Sequence, residues 1–322
     1  MMKDRVYITR KLPEETISGL KEHYHVEMWD KEDIPVPAEV LREKAKEASA
    51  LLTMLSDSID GDLLAEAHRL KVVANLAVGY DNIDVKAAAE KGITVANTPD
   101  VLTDTTADLT FALLMAAARR ITESAEYVKE GKWKSWSPLL LAGQDIHHKT
   151  IGIVGMGNIG QAVAKRAKGF DMNILYHNRS RRPEAEEKLG AVYVSFEELC
   201  EQSDYVVCLA PLNDSTKNLF TEEAFRRMKK SAIFINAGRG AIVDEDALYR
   251  ALLDGEISGA GLDVFVKEPI GKDHPLLSLS NVVALPHIGS SSTETRMEMA
   301  RLCAENINLV LSGKQAKTPV HI

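Results

Sequence analysis

The chain has 322 residues, long enough for two domains that each bury a core. Its 39 Lys and Arg stand against 47 Asp and Glu, and a formal charge of -8 disfavours nucleic acid and anionic membranes as partners. With 45% hydrophobic and 27% charged residues, no apolar run near the roughly 20 residues of a membrane helix, and charges throughout the opening MMKDRVYITRKLPEE, it reads as a soluble, cytoplasmic, globular protein.

Short apolar runs rich in β-branched residues alternate with helical patterns, which predicts parallel sheets covered by helices on both faces. In the first hundred residues the strand candidates are RVYIT (5–9), HVEMW (25–29), ALLTM (50–54), VVANL (72–76) and ITVAN (93–97). The intervening segments include PEETISGLKEHY and DVKAAAEKG, the second closing at Gly92 as a C-cap would. Two helix-like stretches follow at 103–119 and 121–131, and a second series of strands begins near 150–155 and continues near 173–177, 204–209, 231–235, 258–264 and 281–285. The tail from about 292 to 312 is one amphipathic helix, too isolated to be a domain, and is expected to pack back on the N-terminal unit. The three cysteines, Cys200, Cys208 and Cys303, are scattered and suggest neither a disulfide framework nor a zinc site. HYH at 23–25 and HHK at 147–149 lack a third ligand at a useful spacing, so no metal is expected.

The stretch TIGIVGMGNIGQAVAKRAKGF carries Gly155, Gly157 and Gly160 in GxGxxG spacing between a strand and a helix. Gly155 suits a tight turn, Gly157 lets backbone N–H groups approach a diphosphate, and Gly160 lets helix pack on strand. Residues Gly155, Met156, Gly157, Asn158, Ile159 and Gly160 are therefore the expected cofactor cradle, with the anion at the positive end of the helix. A glycine-rich turn without a ligand is the plainer alternative. An NAD site would place an acid at the end of the next strand, NILYH, to take the ribose hydroxyls. That position holds Asn178, followed by Arg179, Ser180, Arg181 and Arg182. Guanidinium groups there suit the 2′-phosphate of NADP, so NADP(H) is the expected cofactor, with NAD(H) still possible through Asn178. A solvated basic loop is the competing reading.

Three later strands end in polar residues: Arg239 after SAIFINAGRG, Asp263 and then Glu268 in SGAGLDVFVKEP, and His287 in NVVALPHIGSSS. Ligands of open α/β sheets lie outside the carboxyl ends of the strands, so these residues should meet on the edge that carries the glycine turn. A guanidinium, a carboxylate and an imidazole suit reduction of a 2-oxo acid. Arg239 would grip the substrate carboxylate and carbonyl oxygen, His287 would donate the proton, and Glu268 on the other ring nitrogen would orient the ring and favour its charged form. Taken singly, each residue also has an ordinary structural explanation.

At these residues the chain resembles the D-isomer-specific 2-hydroxyacid dehydrogenases from end to end, and most closely the glyoxylate/hydroxypyruvate reductase branch, which includes 2-ketogluconate reductases. The stretches that carry the resemblance are NLAVGYDNID, NTPDVLTDTTADLTFALLMAAARR, VGMGNIGQAVAKR, NAGRGAIVDEDAL, GAGLDVF, EP and LPHIGSS. The resemblance implies an α/β fold of two Rossmann-like or flavodoxin-like parallel-sheet domains, with a dinucleotide-binding domain at 100–290 inserted into a substrate domain made of 1–99 and 291–322. It implies a homodimer, a small 2-oxo acid substrate, and Arg239, Glu268 and His287 as the catalytic residues. It further implies that Val78 and Gly79 offer N–H groups to the substrate carboxylate, that Thr106, Ala210, Pro211, Ala237 and Gly289 line the cofactor, and that Asp263 lies near the nicotinamide amide. In the family the segment GKWKSWSPLLLAG (131–143) reaches across the dimer; packing of Trp133 and Trp136 within one subunit is the alternative. Glutamine replaces Glu268 in the formate dehydrogenases of this superfamily, which argues against that activity. A cofactor-sensing corepressor on the same fold is the reading from a different class; the short termini here favour an enzyme.

Overall fold

A computed structural model describes residues 3–321. The chain divides into two compact units: Thr103–Ser290 form one, and the segments up to Leu102 and from Ser291 form the other. The longer unit is thus inserted into the sequence of the shorter.

The shorter unit is built on a five-stranded sheet of β1 (Arg5–Ile8), β2 (His25–Met28), β3 (Ala50–Thr53), β4 (Val72–Asn75) and β5 (Thr94–Ala96), in the order β2-β1-β3-β4-β5. Every pairing is parallel. All residues of β3 and β4 are buried, the pattern of strands covered on both faces, which is why ALLT and VVAN read as continuous apolar or small runs and not as alternation. The C-terminal helix, Thr293–Leu311, starts at Ser292, whose hydroxyl accepts from Thr295 N–H at 3.2 Å. It buries Met299, Leu302, Cys303 and Ile307 within this unit.

The inserted unit carries a seven-stranded sheet of β6 (Thr150–Val154), β7 (Asn173–His177), β8 (Val192–Tyr193), β9 (Tyr205–Cys208), β10 (Ile233–Asn236), β11 (Gly259–Leu262) and β12 (Val282–Ala284). The order is β12-β11-β10-β9-β6-β7-β8, and all neighbours are parallel. The chain winds outward from β6 first to β7 and β8, then returns to β9 beside β6 and winds the other way. The crevice between β6 and β9 is therefore a topological switch point, where such sheets bind ligands. Parallel pairing also puts the C-terminal ends of all seven strands on one edge.

Two cores flank this sheet. One contains Phe220, Phe225 and Phe234, with ring centroids of Phe220 and Phe234 4.7 Å apart. The other joins helix Thr103–Ala118 and helix Asn158–Lys168 to the opposite face through Leu113, Leu114, Val163 and Ala164. Each large side chain buried in this way contributes about 1.5–3 kcal/mol. The helix Thr103–Ala118 approaches so closely that a Cβ on Gly261 of β11 would lie 2.8 Å from Leu113 Cγ. The three cysteines are free and buried; burial pushes the thiols of Cys200 and Cys208 up to about 12. The two-residue edge strand β8 is absent from the sequence reading because two residues carry no detectable period.

Candidate active site

β6 runs straight into Gly155, whose φ of 105° lies where side chains are strained, and a Cβ there would sit 2.6 Å from Ala210 N. Gly160, in the first turn of helix Asn158–Lys168, is equally tight, since its Cβ would be 2.2 Å from Gly155 O. Gly157 differs: a Cβ would meet nothing within 4 Å. Two glycines thus close the turn against the fold while the middle one leaves open space in front of the helix N-terminus. No side chain caps that helix at Gly157. An uncapped N-terminus beside a space that a side chain would fill is a cradle for a diphosphate, so the residues present fit a dinucleotide.

The turn is tied to the end of β7. Met156 N–H donates to Asn178 Oδ1 at 2.7 Å, and Gly155 N–H donates to His177 O at 3.1 Å. The Asn178 oxygen is therefore engaged within the protein, leaving its NH₂ as the group offered outward, and no carboxylate stands in this position. Arg179, Ser180, Arg181 and Arg182 are all exposed. Arg181 is held by Glu186 through Nε at 3.0 Å and Nη2 at 2.5 Å, and Tyr176 Oη donates to the same carboxylate at 2.6 Å. The Arg181 and Tyr176 hydrogen bonds hold the Glu186 carboxyl below the ordinary carboxylate value. Arg179 has no ion-pair partner among the described residues. Sequence reasoning treated the arginines alike; the acid five residues after Arg181, on the following helix, is the signal that separates them.

Four of the expected residues meet after β10, β11 and β12. His287 Nδ1–H donates to Glu268 Oε2 at 2.6 Å, and Glu268 Oε1 accepts from Phe265 N–H at 2.9 Å. Burial pushes the Glu268 carboxyl up, but the His287 and Phe265 hydrogen bonds and the His287 and Arg239 charges outweigh it, so its pKa lies below the usual value. With Nδ1 engaged, His287 Nε2 is the nitrogen left to face a ligand. Arg239 is half-buried; its Nη1 donates to Gly238 O at 3.0 Å, and its own carbonyl accepts from Asn236 Nδ2 at 3.1 Å. The next residue, Gly240, packs so tightly that a Cβ would lie 1.9 Å from Phe265 C, which brings the Arg239 turn against the loop that carries Glu268.

Asp263 is only 1% exposed. Burial raises its pKa, partly offset by Ile288 N–H at 2.8 Å, the nearby His287 charge and Gly289 N–H. It therefore braces the turn that carries His287, whose φ of 54° is unusual for a residue with a side chain. A Cβ on Gly289 would lie 3.2 Å from Asp263 Oδ2 and 3.3 Å from Thr106 Cγ2, so Thr106, Asp263 and Gly289 form one contact group. Ala210 and Pro211 follow β9 and Ala237 follows β10, on the same strand-end edge as the glycine turn.

Val78 and Gly79 belong to the other unit and follow β4 at the C-terminal edge of its sheet. No described residue accepts from their N–H groups. No cluster of three or more metal-ligating side chains occurs among the described residues, and no helix there is long and apolar enough to cross a membrane.

Residues 111–289, more than half of the chain, match the family model described as D-isomer specific 2-hydroxyacid dehydrogenase, NAD binding domain. The chain is 52% identical over 322 residues to a glyoxylate reductase of Korarchaeum cryptofilum, covering 100% of this chain and 96% of that one. Among solved structures, a Thermus thermophilus protein is similar with a TM-score of 0.92 at 43% identity, over 98% of this chain and 100% of that one. An NADPH-dependent glyoxylate/hydroxypyruvate reductase of Sinorhizobium meliloti, solved with NADP and malonate, gives 0.87 at 32% identity, over 99% of this chain and 97% of that one.

Proposed function

Because the chain belongs to the D-isomer-specific 2-hydroxyacid dehydrogenases, NAD(P)H-dependent oxidoreductases, we propose that it reduces small 2-oxo acids to D-2-hydroxy acids. Glyoxylate and hydroxypyruvate are the first candidates and 2-ketogluconate the next. The observation that carries this reading is the pairing of His287 with Glu268 beside Arg239 on the strand-end edge that also carries the glycine turn. The relatives reported as glyoxylate reductases support the substrate class.

A reduced nicotinamide supplies the hydride when bound, and the residues of the chain do the rest. Gly155, Met156, Gly157, Asn158, Ile159 and Gly160 hold the diphosphate, with Thr106, Ala210, Pro211, Ala237, Asp263 and Gly289 along the cofactor. The Arg239 guanidinium grips the substrate carboxylate and polarises the carbonyl oxygen. His287 gives its Nε2 proton to that oxygen as it becomes an alkoxide, and Glu268 keeps the ring oriented and compensates its charge. The N–H groups of Val78 and Gly79 bind the substrate carboxylate. NADPH is the preferred cofactor, with Arg179 and Ser180 meeting the 2′-phosphate beside Asn178; Arg181 joins them only by leaving Glu186. The working form is a cytoplasmic homodimer.

Loss of NADPH absorbance on adding a panel of 2-oxo acids tests the activity. Turnover of glyoxylate or hydroxypyruvate is expected, with His287→Ala inactive but still binding cofactor. Wild-type turnover by that variant, or none by the wild type on the whole panel, refutes the assignment.

A further inference from the structure

A trans peptide unit is planar, with its C=O and N–H pointing in opposite directions, so fixing a carbonyl aims the N–H behind it. The N–H of Val78 shares its plane with the carbonyl of Ala77, and the N–H of Gly79 with the carbonyl of Val78. Both carbonyls are held. Thr98 N–H donates to Ala77 O at 2.9 Å, and the Asn97 side-chain amide donates to Val78 O at 2.9 Å. The first is an ordinary backbone contact; the second depends on one side chain.

Asn97 is itself held from behind. Its backbone N–H donates to Thr318 O at 3.3 Å, and its carbonyl accepts from Thr318 Oγ1 at 2.6 Å. Thr318 is tied in turn to Asn306, a fully buried residue of helix Thr293–Leu311, through Asn306 Nδ2 to Thr318 Oγ1 at 2.9 Å and Thr318 N–H to Asn306 Oδ1 at 3.1 Å. The neighbouring plane is fixed likewise, since Asn75 Nδ2 donates to Gly79 O at 3.0 Å. The loop's carbonyls are pulled toward the protein, and its N–H groups at 78 and 79 have no described acceptor.

We propose that Asn97 is a positioning residue: it grips the Val78 carbonyl and thereby aims the Gly79 N–H at the carboxylate of the 2-oxo acid. This rests on the reading of Val78 and Gly79 as carboxylate donors. A preset donor pair binds an anion without first reorganising the loop. Arg239 also grips the carboxylate, so loss of Asn97 weakens recognition and leaves the proton transfer untouched.

The test uses the full-length protein with NADPH, a 2-oxo acid, and oxamate as a carboxylate probe that is not reduced. Asn97→Ala should raise the KM for the 2-oxo acid and the Kd for oxamate roughly tenfold or more, the size of one hydrogen bond to a charged group. It should leave cofactor affinity, and kcat at saturation, within about twofold of wild type, a split that general loosening would not produce. Asn97→Gln, which keeps the amide donor, should recover part of the affinity, and Asn97→Leu, similar in shape without the donor, replaces Ala if that variant does not fold. In wild type, oxamate should shift the Gly79 amide resonance. If no amide at 78 or 79 responds, the carboxylate reading fails and the proposal with it. If they respond but the Ala or Leu variant keeps wild-type oxamate affinity, Asn97 is not the positioning residue.

Discussion

His287 and Glu268 are joined at 2.6 Å through Nδ1 of the ring, and each partner is separately braced. Glu268 is held by Phe265 N–H, and the His287 turn by Asp263 through Ile288 N–H. An imidazole held in this way is fixed in one orientation, as the proposed proton donor needs to be. His287→Ala should lower kcat by about 10²–10⁴-fold, the usual size of a general-acid contribution. Glu268→Gln keeps the shape but removes the charge, and should lower kcat by a smaller factor. Single-turnover rates with saturating NADPH measure both. Equal rates in wild type and Glu268→Gln would remove Glu268 from the proton-transfer step.

The lowered Glu268 pKa makes a statement about stability. A carboxylate whose folded pKa is depressed stabilises the fold above its unfolded value, here the ordinary 4.5, and that contribution is lost as pH falls through the lowered folded value. Wild type should therefore hold a Tm advantage over Glu268→Gln at neutral pH that shrinks in the acid range below 4.5. Thermal unfolding of the two proteins across that range checks the sign. A pH-independent difference in Tm would mean that the fold does not favour the ionised form.

The three glycines of the turn should respond differently to the same chemical change. Gly160→Ala drives a Cβ to 2.2 Å from Gly155 O, and Gly155→Ala drives one to 2.6 Å from Ala210 N at a φ of 105°, so each should destabilise the fold by roughly 1–3 kcal/mol. A Cβ at Gly157 meets nothing within 4 Å, so Gly157→Val should lower the Tm less than the other two changes while the cofactor Kd rises at least tenfold, because the side chain extends into the cradle. Thermal shift and cofactor titration on the three variants separate the effects. Wild-type cofactor affinity in Gly157→Val would remove the diphosphate from this turn.

Much of this arrangement was legible in the chain, for a physical reason. Strands buried on both faces must be apolar throughout, and Rossmann-type sheets put their polar residues at the strand ends, so Arg239, Glu268 and His287 could be grouped before any coordinates. What could not be read were contacts made by side chains far apart in sequence. The hydrogen bond by which the Asp263 carboxylate accepts the Ile288 N–H behind His287, 25 residues away, is one of them. Asn97 is another, because a polar residue at the end of β5 has no signature that names a carbonyl 19 residues earlier as its partner. Arg181 is the opposite case: Glu186, only five residues on, is the local signal that sets it apart from Arg179.

Cofactor preference should follow Arg179, which has no ion-pair partner among the described residues and follows Asn178 directly. Arg179→Ala should lower kcat/KM for NADPH roughly tenfold or more, the equivalent of one charge-assisted hydrogen bond, while leaving NADH nearly unchanged. Arg181→Ala should change the ratio less, because that guanidinium already serves Glu186. Steady-state kinetics with both cofactors decide between the two. A larger loss from Arg181→Ala would mean that the Glu186 pair opens when NADPH binds.

The segment after helix Ile121–Lys129 presents apolar side chains that nothing in its own unit covers. Trp136 and Leu139 are 79% and 81% exposed, and Trp133 is 59% exposed although its Nε1–H donates to Ser135 O at 3.1 Å. The helix itself buries none of its residues. Packing of the tryptophans within one subunit is thereby disfavoured. Exposed tryptophans beside an exposed leucine have the composition of an interface centre, and the proposed homodimer would cover them. Truncating such an anchor typically costs at least about 2 kcal/mol of association, or roughly a thirtyfold rise in dimer Kd. Sedimentation velocity over a dilution series should therefore show a dimeric wild type and earlier dissociation of Trp136→Ala and Leu139→Ala, with unfolding temperatures matched at high concentration. A monomeric wild type, or variants that dissociate no earlier, would show that these side chains face something other than a second copy.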